Sequence, residues 1–135
     1  MSAGVPDPRW LDRTVIDAMH VDLVREHGGH PAVRDEKALE WALARPRSRA
    51  AVEPTCDLAA LAAVYGRGLA TSRAYADGNK RISFAVMYAF LGLNGRAIVA
   101  SEPEVVQLMR DLASGIVGET ELAAWLRAHT MDSDG

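Results

Sequence analysis

This 135-residue chain is predicted to be an all-α domain, because long apolar runs with helical spacing alternate with short polar turns. The longest run, residues 82–93, contains no proline and exceeds the length of an ordinary strand. Residues that commonly start helices precede several runs, and glycine follows others. We therefore expect a compact bundle of about six helices around a buried central helix, 79–94, with little or no sheet.

The first five predicted helices each have a boundary signal in the sequence. Gly28-Gly29 ends the first helix, and Pro46 is predicted to end the second. Asp35, Asp57 and Ser101 are good N-caps for the second, third and fifth helices, and Asn94-Gly95 ends the central one. The predicted helices are 14–27, 36–44, 58–72, 79–94, 102–114 and 119–129.

The remaining segments are predicted to be irregular. Residues 47–56 form either a loop or a short β-hairpin, and residues 96–100 form a brief extended piece. We expect residues 1–9 to be a flexible arm, residues 10–130 to be a single domain, and residues 131–135 to be a disordered tail.

Composition argues against several classes of protein. A net charge of −3 gives no general electrostatic reason to bind nucleic acid. The lone Cys56 cannot form an internal disulfide or a cysteine-based zinc site. No run reaches the roughly 18 apolar residues of a membrane span, and residues 1–9 lack an apolar signal core. We expect a cytoplasmic protein with neither nucleic acid nor a membrane as partner.

The start of the central helix carries the most informative polar residues. A turn, Asp77-Gly78-Asn79, is followed by Lys80 and Arg81. Cations at a helix N-terminus are disfavoured by roughly 0.3–1 kcal/mol each, unless they and the free N–H groups bind an anion. Asp77 could hold a divalent metal, which would fit a polyphosphate with Mg²⁺. The alternative is an ordinary turn with an Asn cap and two solvated cations.

Residues 73–81 read RAYADGNKR and resemble the active-site motif of the Fic/Doc family, His-x-Phe-x-x-Gly-Asn-x-Arg. The resemblance is strongest to the Doc (death-on-curing) branch, which typically reads His-x-Phe-x-Asp-Gly/Ala-Asn-Lys-Arg. Residues 27–35, 42–46 and 91–95 also resemble Doc proteins, and the similarity covers about residues 10–129. It favours the anion-site interpretation.

The resemblance implies a nucleotide-dependent transfer to a protein hydroxyl. Asp77 would hold Mg²⁺, Gly78 and Asn79 would help form the phosphate cradle, and Arg81 would pair with a phosphate of ATP. Lys80 is the Doc-type residue where AMP-transferring relatives usually have Gly, so the implied reaction transfers the γ-phosphate to Ser or Thr.

Partners also follow from the resemblance. Elongation factor Tu would be the target of this toxin-antitoxin protein, and residues 47–56 would lie where the family has its target-docking flap. The chain lacks the inhibitory pattern Ser/Thr-x-x-x-Glu-Gly/Asn, so a separate antitoxin is expected to inhibit it.

Arg73 is the main departure from the family pattern, because it stands where the family has a His general base. An arginine remains protonated and cannot accept a proton, and losing a general base typically costs about 10²–10⁴ in rate. The chain is therefore either a Doc-like enzyme with an inactivating substitution or a pseudoenzyme that acts as a binding module; AMP transfer is a third interpretation.

We expect the four histidines to be structural or surface residues, separate from the motif: His20, His27, His30 and His129.

Overall fold

The computed structural model describes residues 8–133, which form six α-helices and one two-stranded antiparallel sheet. Strand β1 (Arg96–Ile98) pairs with β2 (Thr130–Asp132). Within the described part of the chain, no helix is both long and apolar enough to cross a bilayer. The predicted all-α bundle is confirmed, with helices α1 (Arg13–His27), α2 (Glu36–Val52), α3 (Leu58–Ser72), α4 (Asn79–Leu93), α5 (Glu102–Ser114) and α6 (Glu119–Ala128).

Helices α3 and α4 form the centre of the core. Every residue of α3 from Ala59 to Gly66 is buried, and α3 packs against α2, α4, α5 and α6. Helix α4 buries one side in the same core, whereas Tyr88 on its other side is 53% exposed. The burial of α4 is therefore one-sided rather than complete, because its second side faces a cavity at the surface.

Two glycines allow α3 to approach its neighbours closely. A Cβ atom on Gly66 would lie 2.2 Å from Sδ of Met87 in α4, and one on Gly68 would lie 3.2 Å from Cβ of Ala42 in α2. The buried hydroxyl of Ser83 donates to the carbonyl oxygen of Gly66 at 2.6 Å. The missing side chains thus permit close packing on both sides of α3.

Helix α2 does not end at Pro46. It continues to Val52, so the predicted end is wrong, and so is the loop or hairpin predicted for residues 47–52, whereas residues 53–56 do form a loop. A proline inside a helix costs about 3 kcal/mol. This one is buried, and Arg45 and Arg49 on either side of it both pair with Glu119 of α6. The packing and these ion pairs offset the local penalty.

The two ends of the described chain are anchored at the end of α4. The N–H of Arg9 donates to Asn94 Oδ1 at 2.8 Å, and Asn94 Nδ2 donates to the carbonyl of Arg9 at 2.9 Å. Residues 130–132 lie in β2, and the N–H of Ser133 donates to Gly95. The expected disorder is therefore wrong for residues 131–133, since β1 supplies main-chain partners. Residues 1–7 of the predicted arm and 134–135 of the predicted tail lie outside the described residues.

Candidate active site

Residues 73–81 connect α3 to α4 and form the first turn of α4. Arg73 is the C-cap of α3 and has a left-handed φ of 52°, while Gly78 is the N-cap of α4 with a φ of 76°. No side chain of residues 8–133 caps the start of α4. The first N–H groups of the helix therefore lack side-chain acceptors and, together with the helix dipole, favour an anion.

The loop between α1 and α2 holds this segment in place. The N–H of Ala76 donates to the carbonyl of Ala32 at 2.9 Å, and the N–H of Arg34 donates to Ala74 at 2.7 Å. The guanidinium of Arg34 also donates twice to the carbonyl of Arg73, at 3.0 and 2.5 Å. The backbone at the position of the family's catalytic His is thus fixed by Arg34.

Two of the predicted site residues use their side chains within the turn. The Asn79 amide accepts from the N–H of Tyr75 at 3.1 Å and donates to its carbonyl at 2.9 Å. Asp77 Oδ2 accepts from the N–H of His30 at 2.7 Å, and Gly29 is so close that a Cβ there would lie 2.9 Å from Cβ of Asp77. Asn79 can therefore offer an anion its backbone N–H, and Asp77 can offer a cation its Oδ1.

A cavity of about 550 Å³ lies at the start of α4, between α1, α4 and α5. Its charged lining consists of Lys80, Arg81 and Arg110, and His27 and the turn 78–79 complete the polar part. No Asp or Glu lines it among the described residues. Such a lining favours an anionic ligand with an apolar part, because the other lining residues are apolar: Leu23, Phe84, Ala85, Val105, Val106 and Met109.

The cations of the cavity are not neutralised by the protein. Within residues 8–133, Lys80, Arg81 and Arg110 form no ion pair with a carboxylate, whereas Arg13 and Arg127 do. Their charge is available to a ligand. Arg110 belongs to α5 and was not predicted, since an exposed helical arginine carries no signal in the sequence that separates it from a solvated one.

Tyr75 occupies the position of the family's Phe and is buried. Its hydroxyl donates to Asp17 Oδ1 at 2.7 Å. The other carboxylate oxygen of Asp17, Oδ2, accepts from Arg13 at 2.9 Å, and Arg13 also forms an ion pair with Glu36. Burial, and then the hydrogen bond to Asp17, raise the pKa of Tyr75 above its usual range. Tyr75 therefore ties the motif to α1 and α2.

Three of the four histidines lie at the motif, so their expected separation from it is wrong. The ring of His20 contacts the carbonyl of Asp77, His27 lines the cavity, and the N–H of His30 binds the Asp77 carboxylate. His129 instead stacks on Trp125, with ring centroids 3.9 Å apart. Sequence separation concealed these contacts, because α1 and the loop after it fold back against the turn.

A magnesium ion could be bound by the carboxylate of Asp77 together with the phosphates of a ligand. Among the described residues, no group of three or more His, Cys, Asp and Glu is arranged to hold a metal. Mg²⁺ does not need one, since it usually binds through one or two carboxylates together with substrate phosphates and water. Oδ1 of Asp77, which has no hydrogen-bond partner in the described part of the chain, fits that requirement.

Comparison with known families agrees with the fold and the motif. The sequence profile of the Fic/DOC family matches residues 10–91, which include α1, α2, α3, the whole of residues 73–81 and most of α4. Among curated proteins, no sequence matches the chain. Because the profile match covers more than half of the 135 residues and the fold is the helical bundle expected of that family, the chain belongs to the Fic/DOC family.

Proposed function

We propose that this chain is a Doc-like protein phosphotransferase domain that binds ATP and Mg²⁺, and in which Arg73 blocks the proton transfer. The observation that carries the proposal is the cavity at the start of α4. Among the described residues, its three cations have no ion-pair partner, the N–H groups at the start of α4 have no side-chain cap, and no carboxylate lines it. A polyphosphate suits that polar part, and the apolar wall with Phe84 and Met109 suits a nucleoside.

Each polar residue has a role in this proposal. Arg81 pairs with phosphate oxygens through its planar fork, and Lys80 contributes a compact positive charge. Gly78 and Asn79 present backbone N–H groups. Asp77 Oδ1 and the phosphates hold Mg²⁺, which supplies charge neutralisation at the phosphates when it is bound.

The proposed reaction is transfer of the γ-phosphate to a Ser or Thr hydroxyl of a target protein. The bond between the γ-phosphorus and the β–γ bridging oxygen breaks, a new bond forms to the hydroxyl oxygen, and ADP leaves. The hydroxyl proton must pass to a base. Arg73 cannot accept it, so we expect the chain to be slower than its histidine-bearing counterpart by about 10²–10⁴.

The target and its regulation are proposed from the resemblance alone. Elongation factor Tu is the proposed target, modified in the cytoplasm to inhibit translation. A separate antitoxin is the proposed inhibitor, in line with the lack of an inhibitory Ser/Thr-x-x-x-Glu-Gly/Asn pattern in the chain.

A pseudoenzyme that acts as a binding module is the second candidate, and Arg73 is the observation that favours it. Arg34 fixes the backbone of Arg73 through two hydrogen bonds to its carbonyl. The turn that follows is also held by hydrogen bonds to the loop between α1 and α2. A site that binds ATP without transferring phosphate would retain these features. AMP transfer is disfavoured by Lys80, which stands where AMP-transferring relatives usually have Gly.

Transfer of label from γ-labelled and α-labelled ATP to a cell lysate tests the proposal, using this chain and Arg73→His. The substitution restores an imidazole that can accept a proton. We expect Arg73→His to transfer γ-label at a rate at least about 10²-fold above that of the unsubstituted chain, the parent. Transfer of α-label would instead show AMP transfer. ATP binding without any transfer by either protein would favour the pseudoenzyme.

A further inference from the structure

His20 lies in α1 directly beneath the turn that starts α4, and it is only 1% exposed. Its Nε2 atom lies 2.7 Å from the carbonyl oxygen of Asp77. Its ring stacks on the ring of Tyr75 with centroids 3.7 Å apart and planes 13° apart. His20 therefore contacts two residues of the motif segment without belonging to it.

The contact defines which ring nitrogen of His20 carries a proton. A carbonyl oxygen only accepts hydrogen bonds, so Nε2 must be the donor. The other nitrogen, Nδ1, is buried and has no partner among the described residues. Since an unpartnered buried nitrogen lowers stability, packing stability alone gives no reason for a histidine rather than an apolar residue at this position.

The hydrogen bond from His20 controls the peptide group between Asp77 and Gly78. That group is planar, so fixing the carbonyl of Asp77 also fixes the direction of the N–H of Gly78. Gly78 lies beside the same ring, since a Cβ added to it would be in van der Waals contact with Nε2 of His20, at 3.5 Å. Gly78 is the N-cap of α4, so its orientation decides where the first N–H groups of the helix point.

We propose that His20 is a positioning residue for the anion cradle at the start of α4. Its Nε2–H orients the Asp77–Gly78 peptide. The N–H of His30, in the loop between α1 and α2, donates to the Asp77 carboxylate. Together the two bonds fix Asp77 at its backbone and at its side chain. The ligand in this inference rests on the proposed function, whereas the positioning is a property of the ligand-free chain.

Two substitutions separate the hydrogen bond from the packing of the ring. His20→Gln keeps a donor at about the position of Nε2 and loses the ring. His20→Phe keeps a ring that can stack on Tyr75 and loses the donor, and His20→Leu serves in its place if that variant does not fold. Ile16→Val is the control, because Ile16 is a fully buried residue of the same helix that the motif segment does not need for any hydrogen bond.

Amide hydrogen exchange of the ligand-free proteins is the first readout. The relevant N–H groups belong to His30, Ala76 and Ile82, which donate to Asp77, Ala32 and Gly78. We expect these amides to exchange at least about tenfold faster in His20→Phe and to remain near the parent in His20→Gln and Ile16→Val. Unchanged exchange in His20→Phe, or equal acceleration in His20→Gln, would overturn the inference.

Calorimetric titration with ATP, with and without Mg²⁺, is the second readout. We expect the dissociation constant to rise about three- to tenfold in His20→Phe and to change less than about twofold in His20→Gln and Ile16→Val. Equal affinity of the parent and His20→Phe would contradict the positioning role. If the parent itself binds no ATP, the proposed function fails, and amide exchange still decides whether His20 positions the turn.

Discussion

The backbone of Arg73 has a conformation that suits a histidine, but its side chain cannot act as a general base. Its φ of 52° lies in the left-handed region, where histidine and asparagine are several-fold enriched among non-glycine residues. Arg34 holds its carbonyl in this conformation through two hydrogen bonds. A histidine introduced at position 73 would therefore stand on a backbone that already suits it, and the expected gain in activity depends on the side chain alone.

Tyr75→Phe tests the link between the motif and α1. The substitution removes the hydroxyl that donates to Asp17, while Arg13 continues to pair with that carboxylate. We expect the free energy of unfolding to fall by about 1 kcal/mol at pH 8, as measured by urea denaturation.

The same pair of proteins makes a prediction about alkaline pH. The pKa of Tyr75 is raised in the folded protein, so its stabilising contribution is present in full below the usual tyrosine pKa of about 10. It is lost as the pH rises towards the folded value, and phenylalanine does not titrate. The difference in stability between the two proteins should therefore shrink above about pH 10; a constant difference would show that burial and the hydrogen bond to Asp17 do not raise the pKa of Tyr75.

Close packing of α3 on α4 depends on Gly66. An alanine there would place its Cβ 2.2 Å from Sδ of the buried Met87. We expect Gly66→Ala to lower the free energy of unfolding by about 1–3 kcal/mol, despite the better helix propensity of alanine.

Gly92→Ala is the matched control for Gly66→Ala. Gly92 also lies within a helix, α4, but a Cβ there would have no atom of the described residues within 4 Å. This variant should gain about 0.5–1 kcal/mol from helix propensity, measured by the same urea titration. Equal effects of the two substitutions would show that the contact between Gly66 and Met87 does not limit the packing.

Asp57 joins two elements, because it caps α3 and pairs with Arg127 of α6. It accepts from the N–H of Ala60 at 2.9 Å, and the Arg127 hydrogen bond lowers its pKa. The pair contributes stability above the usual aspartate pKa of about 3.9 and loses it as the pH falls below that value. Since both side chains are about half exposed (50% and 47%), we expect at most about 1 kcal/mol.

Asp57→Asn isolates this contribution, since an asparagine can keep the cap but not the charge. The stability difference between the parent and the variant, from urea denaturation, should be largest near pH 6 and should decline as the pH is lowered towards 3. A difference that does not change with pH would show that the ion pair with Arg127 adds nothing to the cap.

Helix starts could be predicted from the sequence better than helix ends. Asp35, Asp57 and Ser101 each accept a hydrogen bond from the third residue that follows, as expected of N-caps. Pro46 was misleading because its cost is local, while the burial and ion pairs that offset it come from α3 and α6. The pairing of β2 with β1 was missed for a similar reason, since its partner lies more than thirty positions earlier in the chain.

The charge of the whole molecule and the charge of its cavity have opposite signs. The chain carries a net charge of −3, yet three cations and no described carboxylate line the cavity. From the types and order of residues 78–81, either an anion site or an ordinary turn with two solvated cations could be predicted, and the resemblance to the Fic/Doc motif favours the first. Arg110, His20 and the apolar wall could not be predicted, because only the packing of α1 and α5 against α4 brings them to the motif.

The central claim is that this cavity binds the phosphates of ATP and that Arg73 impairs proton transfer rather than binding. Calorimetric titration of ATP and Mg²⁺ into the parent, Arg73→His and Arg81→Gln tests it most directly. We predict dissociation constants for the parent and Arg73→His within about threefold of each other, and binding at least about tenfold weaker for Arg81→Gln, which loses a charged phosphate contact. Binding that is absent from the parent, or that is unaffected by Arg81→Gln, would contradict the claim.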